Sequence, residues 1–155
     1  MTGRIFQLNC SRGGVPKGAV REAFVTRDGL AGDRQAKPFI HGGPERALCL
    51  YALEHIVMLQ REGHPIFPGS AGENVTVSGL DWAALGPGRR LALGEEVLIE
   101  ITKYTGPCKT IAASFVGGEF KRISQKIHPG WSRLYARVLR PGQIMVGRTV
   151  RVLDA

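Results

Sequence analysis

Cysteine is scarce in this sequence. Cys10, Cys49 and Cys108 are three in 155 residues, an odd number that cannot all pair within one chain. The stretch Met1 to Leu8 has none of the apolar block of a secretory leader. Together these point to reduced thiols in the cytoplasm and exclude a disulfide-framed secreted scaffold. Long hydrophobic runs are missing as well, so no membrane-spanning helix is expected. Acidic residues are few, 13 Asp and Glu against 21 Lys and Arg, for a net charge of +8. That excess draws anions to the surface. The bases are scattered, without a Lys/Arg block, interleaved aromatics or a zinc-finger or single-strand RNA-binding signature. Nucleic acid is therefore disfavoured as a partner and a small anionic ligand preferred. No Gly-x-Ser-x-Gly, His-Glu-x-x-His or Cys-x-x-Cys occurs, which removes the hydrolase elbow, the zinc-protease helix and the usual structural zinc site. Lys109-Thr110 ends like a phosphate loop, but Cys108 and Lys103 stand where that loop needs its glycines.

Glycine and proline are plentiful, 21 and 9, and they punctuate short runs of alternating character. Arg4–Leu8, Ala19–Val25, Ala47–Tyr51, Asn74–Val77, Glu96–Ile101, Leu134–Leu139 and Thr149–Leu153 read as strands with one face inside and one in water. Many short strands between turn signals suggest a mainly β fold, and a closed barrel leaves no exposed edge. Leu53, Ile56, Val57 and Gln60 fall at helical spacing, and Gly63 is placed to end that helix. A second helix is expected from Lys109 through Phe115 to Gly117-Gly118, and a third, short one around Phe120 to Ile127. No repeat or linker interrupts residues 1–155, which read as a single domain.

Cys108 is the most informative position. It follows a strand and the turn Tyr104-Thr105-Gly106-Pro107, and it opens the expected second helix. Unpaired N–H groups at a helix start, with Lys109 beside them, favour thiolate, the form that binds metals and attacks electrophiles. The bland alternative is a small buried residue in a turn. Cys49 sits inside an apolar strand and reads as core. In His41-Gly42-Gly43, two glycines let the backbone approach a ligand closely; a tight surface turn explains them equally well. Arg46 offers a forked donor to phosphate or is a solvated charge. Gly29-Leu30-Ala31-Gly32-Asp33-Arg34 and Gly69-Ser70-Ala71-Gly72-Glu73-Asn74 are glycine-rich loops able to form anion nests, although most such loops are only turns. A Cys–His hydrolase stays open, with His41, His55, His64 or His128 as partner of Cys108.

Taken in order, Gly29-Leu30-Ala31-Gly32-Asp33, His41-Gly42-Gly43, Gly72-Glu73-Asn74 with Val-Thr-Val after it, and Pro107-Cys108 resemble the MOSC family, the molybdenum cofactor sulfurase C-terminal domain. Asn9 to Lys17 and Tyr135-Ala136-Arg137-Val138 look like its stand-alone bacterial members. The resemblance implies a closed β-barrel with two or three short helices. It makes Cys108 the molybdenum ligand or sulfur carrier. Asp33, His41, Gly42, Gly43, Arg46, Gly72, Glu73, Asn74 and Lys109 become the expected surroundings of a molybdopterin cofactor. Asp33 and Glu73 are expected to orient loop backbones, since acids facing an anion would repel it. The family motif fixes no residue for the pterin phosphate; Arg46, Lys17 or Arg34 is our own expectation for its donor.

Relatives that reduce N-hydroxylated compounds hold molybdenum through that thiolate, a soft ligand suited to the metal. Three readings stay open: such an oxidoreductase, a sulfur carrier with a persulfide on Cys108, and a cofactor-storing module. No ferredoxin-like or desulfurase segment is visible, so an electron or sulfur donor is expected to be a separate protein. Gly147-Arg148 departs from the Gly-Asp common near the family's C-terminus.

Overall fold

The structure, a computed structural model, describes residues 1–11, 13–33 and 43–153. Strand β1 (Thr2–Cys10) is followed by β2 (Gly18–Val20), β3 (Glu22–Thr26) and β4 (Gly29–Leu30). After β5 (Leu48–Ala52) comes α1 (Leu53–Arg61), then β6 (Val75–Ser78), β7 (Arg90–Leu93) and β8 (Val97–Thr105). The chain ends with β9 (Arg133–Arg140), β10 (Gly142–Met145) and β11 (Thr149–Val152). Seven strands close a ring in the order β1, β6, β5, β9, β8, β7, β11 and back to β1. All ring neighbours are antiparallel except β5 and β6, where Leu50 faces Val75. A parallel pair needs a crossover, and α1 lies in that connection. Strand β2 extends β1 at one end, and β10, β3 and β4 form a small second sheet.

The inward side chains come from strict alternation. Val97, Ile99 and Ile101 of β8 meet Leu134, Ala136 and Val138 of β9, Leu48 and Leu50 of β5, and Val75 and Val77 of β6, all buried in one apolar cluster. A mainly β, closed barrel with few short helices is thus what the chain forms. Among the described residues α1 is the one α-helix. Its buried Ile56 and Leu59 face the barrel, and Gly63 at φ +99° ends it. There Gly63 N–H donates to the Gln60 carbonyl and His64 N–H to that of Leu59, the paired closure that suits a left-handed glycine.

Three expectations need correction. Ala19–Val25 is not one strand; it breaks at Arg21 into β2 and β3, which belong to different sheets. The expected second helix is a 3-10 turn, Lys109–Ser114, followed by another at Val116–Gly118 where Gly117 takes φ 64°. Ile111 and Ser114 are its buried pair, and three-residue spacing suits a 3-10 turn better than an α-helix. The third is also 3-10 and shorter, Phe120–Ile123. No helix among the described residues is long and apolar enough to cross a membrane.

Candidate functional site

A cleft opens on the outer face of β5, β8 and β9, where alternation turns Cys49, Arg133 and Tyr135 away from the barrel core and the register shift between Ile101 and Lys103 brings Thr105 to the same face. Counting its open mouth, the empty space is about 550 Å³. The loop carrying Lys17, the turn before β5 carrying Arg46, Gly72 and Asn74 ahead of β6, and Cys108 after β8 form its rim. No Asp or Glu is among the described residues that line it, whereas Lys17, Arg46 and Arg133 are.

Cys108 is half-buried and extended (φ −145°, ψ 178°), at the N-cap of the turn Lys109–Ser114. Six residues of 3-10 helix carry little macrodipole, so the helix-start argument for this position does not hold. Lys109 is exposed and stands outside the lining, while Thr110 and Ile111 are part of it. The reason is geometric: in a 3-10 turn Ile111, three residues on, shares the face of Cys108, and Lys109 points elsewhere. Cys49 is buried, at 6% exposure, as expected of a residue inside an apolar strand, and it has a second aspect. It lies on the cleft floor against the Thr105 hydroxyl (3.8 Å) and not within the apolar core cluster.

Behind the rim is a frame of buried polar contacts. Asp33, whose side chain is 4% exposed, accepts from Lys17 Nζ (2.7 Å), from the Ser11 backbone N–H (2.9 Å) and, through its other oxygen, from Asn74 Nδ2 (2.8 Å). Asn74 Oδ1 accepts from the Cys49 N–H (3.0 Å), which ties the loop before β6 to β5. Asn9 donates to the Glu73 carbonyl and the Thr76 hydroxyl, and Thr76 donates to Glu73 Oε2 at 2.9 Å. Glycines are required here. A Cβ at Gly69 (φ +92°) would strike the Lys17 carbonyl, and one at Gly72 (φ +80°) would stand 3.1 Å from Val15 Cγ1. Burial pushes the Glu73 carboxyl up from its ordinary range, against hydrogen bonds and the Arg133 charge that pull it down.

The sequence candidates thus sort by place. Cys108, Arg46, Gly72 and Asn74 reach the cleft. Asp33 and Glu73 stand behind it as braces, and Lys17 lines it with its charge already met by Asp33. Gly43 (φ 94°) caps the turn Pro44–Arg46 without lining the cleft. Arg34, His41 and Gly42 lie outside the described residues. No described histidine lines the cleft; His55 stacks on Trp131, and His64 Nδ1 accepts from the Val116 N–H.

Two lining residues carry no sequence signal that was read as function. Tyr135 sits 5.7 Å below the Arg46 guanidinium, and burial pushes its phenol up to about 12, so it stays neutral and able to donate. Arg133 opens β9 and is 6% exposed. Its position is set by what precedes it. Trp131 stacks on His55 (4.4 Å) and carries Arg122 4.0 Å from its ring centre, and its carbonyl accepts from Tyr51 Oη at 2.6 Å. The clue was β9 alternation, which puts Arg133, Tyr135 and Arg137 on one face.

A soft thiol and cations, with no carboxylate among the described lining residues, make a donor set that suits an anionic cofactor holding a thiophilic metal. Known proteins agree with the fold and the family. The chain is 29% identical to YflK of Bacillus subtilis over 91% of its length and 63% of that protein's. It is 34% identical to YiiM of Escherichia coli over 79% of its length and 55% of that protein's. It is also 29% identical to a protein named reductase of Gibberella moniliformis, over 84% of its length and 24% of that protein's. It therefore spans less than two thirds of each of these relatives. A crystal structure of a hypothetical protein superposes with a TM-score of 0.76 and 27% identity, covering all of this chain and 70% of the other. The family model described as the MOSC domain matches residues 37–151, and the chain belongs to the MOSC domain family.

Proposed function

We propose that this MOSC protein binds a molybdopterin-type molybdenum cofactor in the cleft, with the Cys108 thiolate as the protein's ligand to the metal, and that it is an oxidoreductase reducing N-hydroxylated compounds. The observation that carries the reading is the cleft itself: a half-buried thiol on a rim lined by Lys17, Arg46 and Arg133 and by no described carboxylate. When bound, the cofactor supplies two-electron redox chemistry at the metal. The chain's own residues bind and orient. Cys108 would hold the metal, Arg46 and Arg133 would attract the cofactor's anionic group, and the neutral Tyr135 phenol would offer it a hydrogen bond. Asn74, held by Asp33, keeps the rim in register with β5. Electrons would come from a separate donor protein. The relative named reductase is consistent with such chemistry.

A sulfur-carrier reading has one observation in its favour: a second thiol, Cys49, lines the same cleft. The two are separated by purifying the protein from a host with an intact cofactor pathway and measuring molybdenum, pterin and cyanide-labile sulfur. The expected result is molybdenum and pterin in equal amounts, with dye-coupled reduction of a hydroxylamine. Both should vanish in Cys108→Ser, which keeps size and polarity but loses the soft donor. Wild-type protein carrying labile sulfur and no metal selects the carrier. A Ser variant that keeps its molybdenum removes Cys108 as the anchor.

A further inference from the structure

We propose that Arg133 is the anion-binding residue of this cleft, and that its ligand is a phosphate-type dianion reaching the cleft floor. Two cations there are almost fully buried, and they differ in one respect. The Lys17 side chain, 5% exposed, has its charge met by Asp33 at 2.7 Å. Arg133, 6% exposed, has no carboxylate within ion-pair distance among the described residues. Its Nη1 donates to the Ala71 carbonyl at 2.7 Å and its Nη2 more weakly to that of Gly106 at 3.4 Å. Its Nε is buried and without a partner among the described residues. Two neutral carbonyls orient a guanidinium but do not balance its charge, and a buried charge without a counter-ion is costly. The nearby buried acid, Glu73, is held toward its neutral form by burial and uses one oxygen on Thr76, so it compensates poorly.

Beyond those two bonds the guanidinium keeps Nε–H and one further hydrogen on each Nη, and donors of this kind pair with tetrahedral oxyanions. Arg46 lines the same cleft as a second arm, and no described carboxylate lines it to compete. Ala71 and Gly106 flank the glycine-bearing loop before β6 and the Cys108 turn, so an anion on Arg133 would sit between the two segments of the rim. As to which anion, the proposal rests on the cofactor reading: the phosphomonoester end of the pterin has this chemistry. Free phosphate has it too.

The test uses the full chain in two arms. In the first, inorganic phosphate is titrated into cofactor-free protein by calorimetry, with chloride at matched ionic strength as control. Wild type should bind, and phosphate should slow alkylation of Cys108. Arg133→Lys, which keeps the charge but loses the fork, and Arg133→Gln should weaken binding by about tenfold or more. Exposed Arg61→Gln, on the last turn of α1, should change nothing. In the second arm, pterin and molybdenum are measured in each variant from a cofactor-competent host.

Loss of phosphate binding with loss of pterin supports Arg133 as the seat of the cofactor's phosphate. Loss of phosphate binding while wild type holds no pterin leaves the seat standing for free phosphate, and it is the cofactor reading that fails. Wild type and both variants holding pterin equally, with unchanged phosphate affinity, overturns the proposal and spares the reading. Should Arg133→Gln fold poorly, the Lys variant and the wild-type protection of Cys108 still decide. Absence of any phosphate effect on wild type overturns the proposal.

Discussion

The inside of the barrel and the rim of the cleft are built on opposite principles. Within the ring, Leu48, Leu50, Leu91, Ile99 and Val150 are all fully buried, and none has a partner more specific than another apolar side chain. At the rim and in the frame behind it, the buried polar residues include Asn9, Lys17, Glu73, Asn74, Thr105 and Arg133, set by directional contacts. Apolar burial is additive and forgiving: a side chain of similar volume serves nearly as well. A buried polar frame is neither, because each group left without its partner costs its full desolvation. The barrel therefore supplies a rigid wall, and the frame supplies one particular arrangement of loops upon it.

The largest expected effect is at Asp33. Asp33→Ala strands Lys17 in a buried site and frees the Ser11 N–H and Asn74 Nδ2 at once. Removing one partner of a buried ion pair costs ~3–5 kcal/mol, which urea unfolding would read directly. The cleft should also lose its ligand, because the loops bearing Lys17 and Asn74 share that carboxylate. A variant unfolding within ~1 kcal/mol of wild type would show that the frame is incidental.

Leu50→Ala is the matched perturbation of the barrel. Leu50 is 0% exposed between Leu134 and Val75. The cavity should cost ~2–5 kcal/mol, similar on the unfolding curve, yet the folded fraction should bind cofactor as wild type does. Equal loss of binding per folded molecule in both variants would erase the distinction between wall and frame.

Thiol reactivity sharpens the comparison on a smaller scale. Burial raises the Cys49 thiol, and burial and the Asp33 charge raise that of Cys10. Cys108, half-buried on the rim, should alkylate first near neutral pH, with Cys49 last. Peptide mapping after timed alkylation gives the order, and faster labelling of Cys49 would mean that the cleft floor opens more than its packing indicates.

These contrasts also explain what could be read in advance. Val97, Ile99 and Ile101 announce β8 because alternation is the physics of a half-buried strand. Ala19–Val25 misled because no glycine or proline marks Arg21, where the chain changes sheets. Lys109–Ser114 misled because helical spacing over six residues does not separate an α-helix from a 3-10 turn. Around the cleft, Cys108 stood out through the turn before it and the expected helix start, and Asp33, Gly72, Glu73 and Asn74 through their glycine-rich loops and the family resemblance in motif order, not through periodicity. Lys17 appeared as a free base because nothing local shows that Asp33, sixteen residues away, takes its charge. Arg133 stayed hidden because an arginine on an outer strand face normally reads as solvated. Only the segments at Ala71 and Gly106 folding over it make it a buried cation.

The smallest expected effect tests how apolar the frame really is. Glu73 is completely buried, its Oε1 has no partner, and its carboxyl is displaced upward by burial. A raised folded value means that the folded state holds the proton more tightly than the unfolded chain. Stability is then fullest below the ordinary glutamate range and declines as pH rises through the window from the unfolded to the folded value. Glu73→Gln keeps an oxygen to accept from Thr76 but has nothing to ionise. Its urea midpoint relative to wild type should therefore climb as pH rises above the ordinary glutamate range. Parallel profiles would mean that Glu73 ionises at no cost, with Arg133 as its effective counter-charge. The frame would then be internally neutralised, and the case for an external anion on Arg133 would weaken. A rising difference shows instead that the buried acid is penalised when charged, leaving the guanidinium's charge to be met from the cleft.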